Sequence, residues 1–304
     1  MNGNSAMHHR IRELARERNA VILAHNYEVA EVQDVADMCG DSLELSRRAA
    51  ETDADVIVFC GVRFMAETAA ILSPDKTVIL PVENAGCPMA DMITVEDVKR
   101  RKSEQPDLFV LSYVNTTAEV KAESDLCCTS ANAVRLARSI GPSLRVLMTP
   151  DRNLAQYTIR VTGRDMDYWN GFCPVHERLT ADRVRRVKQA YPDALFMAHP
   201  ECRPEVLDLA DSVQSTSGMI SLARTSPHDR FIVGTEAGIL YPLSRANPQK
   251  EFIPADPHMV CKDMKKTGLA ELLKSLEEMA PVITVSEEVR GRARRALEAM
   301  LAIP

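Results

Sequence analysis

The segment Leu23-Ala-His25-Asn-Tyr27, with Ala36-Asp37 and Ser42 behind it, recurs twice further along the chain. The second copy is Leu111-Ser-Tyr113-Val-Asn115 with Ser124-Asp125 and Ser130. The third is Met197-Ala-His199-Pro-Glu201 with Ala210-Asp211 and Thr216. In every copy 12 residues separate the His or Tyr from the Asp, and 5 separate the Asp from the hydroxyl residue. The copies are offset by 88 and then 86 residues. Apolar patterning by itself does not hold polar residues at matching offsets, so the chain reads as a threefold repeat.

Working outward, short runs rich in Val, Ile and Leu recur: Val21–Ala24, Val56–Phe59, Val78–Leu80, Leu108–Leu111, Leu144–Met148, Ala194–Met197 and Phe231–Val233. They are too short for helices and read as buried parallel strands. Amphipathic segments of helical length lie between them, among them Asp41–Glu51, Ala131–Ile140 and Thr180–Tyr191. Thr94 with Asp97 predicts a helix start, Ser286 with Glu287 and Glu288 predicts a last, outer helix, and Lys262–Glu278 reads as one helix after Cys261. Strand–helix alternation gives an α/β fold with parallel sheets and right-handed crossovers. The expected units are 20–105, 106–190 and 191–280, flanked by helices in 1–19 and 281–304. Three units of this size replace the two that 304 residues alone would suggest.

The repeat sorts the 8 cysteines. Cys87, Cys173 and Cys261 follow His25, Tyr113 and His199 by 62, 60 and 62 residues, while Cys39, Cys60, Cys127, Cys128 and Cys202 show no threefold pattern. Three equivalent thiols around a pseudo-threefold axis can aim at one point. They suit a zinc site with His176 as fourth ligand, or an iron–sulfur cubane with one open iron acting as a Lewis acid, or they are plain core residues. Pro88 and Pro174 push Cys87 and Cys173 into extended loop conformations.

Each repeat opens on a strand whose carboxyl end carries a polar pair: His25 and Tyr27, Tyr113 and Asn115, His199 and Glu201. A spacing of two puts both members on one face of an extended segment, and open α/β sheets bind ligands beyond the carboxyl ends of their strands. Ser42, Ser130 and Thr216, with Ser215, precede helical segments, where they cap the helix or take an anion at its positive end. Glu201 is the one carboxylate among the pairs and the candidate base.

Several classes are excluded or disfavoured. The net charge of −6 and an aromatic content of 5% argue against a nucleic-acid partner. No apolar run reaches the ~20 residues of a membrane span, and Met1–Asn19 lacks the apolar stretch of a secretory signal, so a cytoplasmic chain with free thiols is expected. No Gly-rich nucleotide loop is present.

The residues quoted so far, together with Glu83-Asn-Ala-Gly-Cys-Pro-Met-Ala-Asp91, Cys128-Thr-Ser-Ala-Asn132, Gly234-Thr-Glu236 and Val260-Cys-Lys-Asp-Met264, give the chain a resemblance to the quinolinate synthase family. The matching pieces span nearly the whole sequence. The resemblance implies three three-layer αβα domains about a pseudo-threefold axis with the active site at the centre, and a 4Fe–4S cluster on Cys87, Cys173 and Cys261. It implies condensation of iminoaspartate with dihydroxyacetone phosphate, with loss of phosphate and two waters and closure of a pyridine ring. On that reading Ser42, Ser130, Ser215 and Thr216 hold the three anionic groups, His25, Tyr113, Asn115 and His199 orient the chain, and Glu201 and Tyr27 move protons. Iminoaspartate is labile, so handover from an aspartate oxidase or dehydrogenase is expected; the protein is a monomer or homodimer. One departure stands out. Where some members carry a C-x-x-C-x-x-C run, this chain has Cys261-Lys-Asp-Met264-Lys-Lys266, so no redox disulfide forms there. The rivals are a zinc-dependent lyase or aldolase and a non-catalytic iron–sulfur sensor.

Overall fold

A computed structural model describes residues 3–303. Twelve strands form three separate four-stranded sheets. The first holds β1 (Ala20–His25), β2 (Met38–Gly40), β3 (Val56–Cys60) and β4 (Thr77–Ile79). The second holds β5 (Phe109–Tyr113), β6 (Leu126–Cys128), β7 (Val146–Thr149) and β8 (Asp167–Tyr168). The third holds β9 (Leu195–Ala198), β10 (Ser212–Val213), β11 (Arg230–Gly234) and β12 (Glu251–Pro254). All pairings are parallel, and each sheet is ordered second, first, third, fourth strand. Helices cover the faces, giving three αβα repeats of one topology.

The runs Val21–Ala24, Val56–Phe59 and Phe231–Val233 are buried throughout, as expected for parallel strands covered on both faces. The helix Gly3–Glu17 packs Ile11, Leu14 and Ala15 against the first sheet together with Leu269, Leu272 and Leu276. Those leucines belong to the helix Leu269–Glu278, which lies in the 191–280 segment but covers the first repeat. The last helix, Glu287–Ala302, lies on the outside as expected, with Glu287, Glu288, Arg294, Arg295 and Glu298 exposed. It buries Ala293, Ala296, Leu297 and Met300 against helices Arg63–Leu72 and Ala118–Ala122, so it cements repeat one to repeat two. Thr94 starts its helix with a reciprocal capping box to Asp97, as the spacing predicted. The expected single helix Lys262–Glu278 is instead a short turn, Asp263–Lys265, and the separate helix from Leu269. Gly268 interrupts it, since glycine is a poor helix interior residue.

The repeated aspartates have a structural purpose. The Oδ2 atoms of Asp37, Asp125 and Asp211 accept the backbone N–H of Ile22, Val110 and Phe196 at 2.8, 2.7 and 2.8 Å. Their own N–H groups donate back to the carbonyls of the same residues. Each also pairs with a cation, Arg12, Lys102 or Lys188. The staple ties the entry of the short second strand to the first strand and fixes the register that places the strand ends. Asp125→Ala should lower stability by about 1–2 kcal/mol, read as the urea midpoint, with Asp125→Asn milder because its amide oxygen still accepts the Val110 N–H. An unshifted midpoint for the alanine variant contradicts the staple.

Candidate active site

The carboxyl ends of all three sheets face a common cavity. The first strands deliver His25 and Tyr27, Tyr113 and Asn115, His199 and Glu201; the second strands lead to Ser42, Ser130 and Thr216; the fourth strands lead to Cys87, Cys173 and Cys261. All of these line the cavity. Ser215 does not. Its hydroxyl caps helix Thr216–Thr225 by accepting from Gly218 N–H and donates to Asp41 Oδ2 at 3.2 Å.

Two local expectations change. Extended structure stops at His25 and Ala198, so Tyr27 and Glu201 reach the cavity from turns, not from a shared strand face. In the first turn Glu28 N–H donates to the His25 carbonyl at 2.9 Å. The hydroxyls also differ in their relation to the helices. Asp41 caps the helix Ser42–Glu51 by accepting from Leu43 and Glu44 N–H, which leaves Ser42 as its first residue; Thr216 is likewise a first residue, and Ser130 precedes the cap position Asn132. Freed from capping, Ser42 and Thr216 line the cavity at helix N-termini whose N–H groups favour negative charge.

Hydrogen bonds between repeats knit the site. Tyr113 donates its hydroxyl to Glu201 Oε1 at 2.6 Å. His176 Nδ1 lies 2.8 Å from Glu201 Oε2 and 3.2 Å from Cys173 Sγ. Facing a carboxylate, that nitrogen carries the proton. Its Nε2 meets Thr235 Oγ1 at 2.8 Å, and Thr235 in turn meets the Tyr27 hydroxyl at 2.6 Å. His199 Nε2 reaches Ser130 Oγ at 3.2 Å, and its ring stacks on His176 at 4.8 Å. Asn26 donates to Thr216 Oγ1 at 3.0 Å. Asn115 Oδ1 is buried without a protein partner, an acceptor left for a ligand.

Burial sets the protonation states. It pulls His25 and His199 down to about 3, with neighbouring cationic groups adding to the effect at His25, so both rings are neutral near pH 7. It pushes the Tyr27 and Tyr113 phenols well above their usual range, with the Glu201 charge adding to it. For Glu201 burial works toward the neutral form, but His176, His199 and the Tyr113 hydroxyl outweigh it and hold the carboxylate well below its usual range. Burial raises the Cys87 thiol to about 12 and raises Cys173 and Cys261 as well.

Sequence reasoning missed Asp41, Thr235 and Glu236, and weighed His176 only as a zinc ligand. Thr235 and Glu236 lie just past β11, at a third-strand end, where the threefold alignment carried no mark. Apolar residues Val62, Phe64, Met65, Met89, Val175 and Met264 complete the wall.

The eight thiols are all free, and the three at equivalent repeat positions are half-buried and line the same cavity. Such a donor set suits soft metals and iron–sulfur clusters, which convert raised thiols to bound thiolates. A tighter group, Cys173, His176 and Glu201, has its ligand atoms within 4.8 Å of one another, a separation that suits a single ion. Among the described residues no helix is long and apolar enough to cross a membrane.

Fold and cavity define a pseudo-threefold α/β enzyme whose central site is built jointly by its three repeats. Residues 9–302 match the family described as Quinolinate synthetase A protein. Similar proteins include the quinolinate synthases of Geotalea uraniireducens (56% identical over 296 residues, 97% of each chain) and Geobacter metallireducens (57% over 294 residues, 97% of this chain and 96% of that one). That of Methanoregula boonei is 52% identical over 303 residues, 100% of both chains. The chain belongs to the quinolinate synthase A family and is an enzyme of quinolinate formation.

Proposed function

We propose that the enzyme condenses iminoaspartate with dihydroxyacetone phosphate, forming quinolinate, phosphate and two waters. The observation that carries this reading is the convergence of three thiols, three hydroxyls and three strand-end pairs on one buried cavity. The two substrates bring one phosphate and two carboxylates. Ser42, Ser130 and Thr216 bind these groups beside backbone N–H donors, and Ser215 acts behind them by fixing Asp41. His25 and His199 are neutral and so orient carbonyl and imine groups as hydrogen-bond partners without repelling or trapping charge. The Asn115 oxygen accepts from the substrate nitrogen or a hydroxyl.

Proton movement falls to Tyr27, Tyr113 and Glu201. Glu201 is too weak a base to take a carbon-bound proton alone, because its oxygens are already held by Tyr113 and His176. It instead polarises the Tyr113 hydroxyl, whose oxygen accepts a substrate proton while its own passes to Glu201, and Tyr27 exchanges protons through Thr235 and His176. The apolar wall excludes water and protects the labile imine. Cys87, Cys173 and Cys261 would hold a 4Fe–4S cluster, whose open iron supplies Lewis acidity for the loss of hydroxide. We further assign the repeat units as 20–105, 106–190 and 191–280 with flanking helices, place the enzyme in the cytoplasm, where its thiols stay reduced, and infer supply of the imine by an aspartate oxidase or dehydrogenase. The working unit is a monomer or homodimer.

A zinc-type site on Cys173, His176 and Glu201 is the second reading, supported by their close grouping. Anaerobic purification followed by metal and sulfide analysis separates the two. The expected result is brown protein with iron and sulfide in equal amounts, which makes quinolinate from aspartate, an aspartate oxidase and dihydroxyacetone phosphate. Zinc without iron, or a full cluster without product, overturns the proposal.

A further inference from the structure

Two buried carboxylates occupy matching places in the second and third repeats. Asp151 stands two residues beyond β7, and Glu236 two residues beyond β11; they are 1% and 0% exposed. Each uses its two oxygens in the same way. Asp151 Oδ1 caps the next helix by accepting Leu154 N–H at 2.7 Å, and its Oδ2 accepts the N–H of Cys173 at 3.2 Å. Glu236 Oε2 accepts Gly238 N–H at 2.6 Å, and its Oε1 accepts the N–H of Cys261 at 3.0 Å. Lys265 Nζ sits 3.0 Å from that same Oε1. Gly238 is required here, because a Cβ would stand 2.6 Å from the Tyr27 carbonyl oxygen and from Lys265 Nζ.

The first repeat lacks the device. Two residues beyond β3 stands Val62, and among the described residues no carboxylate accepts the N–H of Cys87. There Gly86 N–H donates to Asp263 Oδ1 at 3.1 Å, across from the third repeat's own cysteine loop. The Cys87 loop is thus set by the Cys261 loop, which is set by Glu236.

We propose that Asp151 and Glu236 are positioning residues that bracket Cys173 and Cys261 to the rigid ends of their sheets and so tighten metal binding. The inference rests on the three cysteines being the cluster ligands. Each carboxylate joins a strand end, a helix start and a ligand backbone through two accepted N–H bonds. The thiol is then presented without reorganisation when metal arrives. An amide cannot substitute. It offers one acceptor oxygen, so Asp151→Asn or Glu236→Gln leaves one buried N–H facing an NH₂ group.

The test uses anaerobically purified holoenzyme. Iron release to a ferrous chelator is timed for the unsubstituted enzyme, Asp151→Asn, Glu236→Gln and Thr180→Ala, alongside thermal unfolding of the same samples. Thr180→Ala removes an ordinary, exposed helix cap that accepts the Arg183 N–H and makes no hydrogen bond to a cysteine loop. Each carboxamide variant should release iron about 10–100-fold faster than the unsubstituted enzyme, with altered electron paramagnetic resonance of the reduced cluster, while Thr180→Ala loses stability but releases iron normally. Unchanged release in both carboxamide variants overturns the bracket. So does release that merely tracks lost stability along the same line as Thr180→Ala. If one variant is insoluble, the other decides. Absence of iron from the unsubstituted enzyme instead overturns the ligand reading itself.

Discussion

Glu201→Gln should lower kcat for quinolinate formation by about 10²–10⁴-fold, the range set by removing a positioned proton-transfer group. Iron and sulfide content should stay unchanged. The side chain is 4% exposed, keeps its volume on substitution and can still accept the Tyr113 hydroxyl. What changes is the second oxygen. Where Glu201 Oε2 accepts from His176 Nδ1, the amide presents N–H, which forces His176 to hold its proton on Nε2 and turn it toward Thr235. The relay through Thr235 to Tyr27 then runs in the wrong direction, and Tyr113 loses the negative charge that polarised it. A single-ion site makes the opposite claim: with Glu201 as a metal ligand, the variant loses its metal together with its activity. Steady-state kinetics and metal analysis on one preparation decide, and turnover within tenfold of the unsubstituted enzyme contradicts the assigned role.

Glu28→Gln should make the protein more stable, and more so as pH rises. Glu28 is 1% exposed, and among the described residues neither carboxylate oxygen makes a hydrogen bond of ordinary geometry. Burial pushes its carboxyl up to about 9; Lys265 and the Val29 backbone pull it back, and Glu236 adds to the rise. The folded chain therefore keeps the proton between the ordinary carboxyl pKa of 4.5 and about 9, while the unfolded chain releases it. In that window the native state binds more protons, so stability falls with rising pH. At about 1.4 kcal/mol per pH unit the loss reaches about 3 kcal/mol near neutrality. Glutamine cannot ionise and removes the slope. Urea unfolding of both proteins from mildly acidic to mildly alkaline buffer should give midpoints that coincide near the acid end and diverge upward. Parallel midpoints across the range contradict a protonated Glu28.

The first and third strands of each sheet were visible in the sequence, because Val21–Ala24, Val56–Phe59 or Phe231–Val233 are apolar on both faces and β-branched. The second and fourth strands were mostly not. Ser212–Val213 and Asp167–Tyr168 have two residues each, the latter exposed, and Met38–Gly40 has three. Their pairing comes from the neighbouring strand and from the aspartate staple, neither of which leaves an apolar run to read. The site divided along the same line. Groups present three times, such as the strand-end pairs and Cys87, Cys173 and Cys261, stood out against one another. Asp41 and Thr235 have no such echo, and Glu236 is matched only by Asp151 in the second repeat, not in all three. Their importance lies in contacts between distant segments, as with Tyr27 and Thr235, 208 residues apart. The hydroxyl assignments at Ser42 and Thr216 missed the cap by one position, which spacing alone does not resolve.

The staple at Asp37, Asp125 and Asp211 is the same in all three repeats, but the residue two beyond each first-strand His or Tyr is Tyr27, Asn115 and Glu201 in turn. A scaffold of three like repeats would offer an asymmetric ligand three similar poses, of which two are unproductive. Making these three positions a phenol, an amide and a carboxylate gives the cavity a heading, as a compass card marks one point of a circle. A molecule whose two ends differ in chemistry can then settle in a single bearing. The frame repeats three times, and the difference at these three side chains gives one end of the cavity a chemistry the others lack.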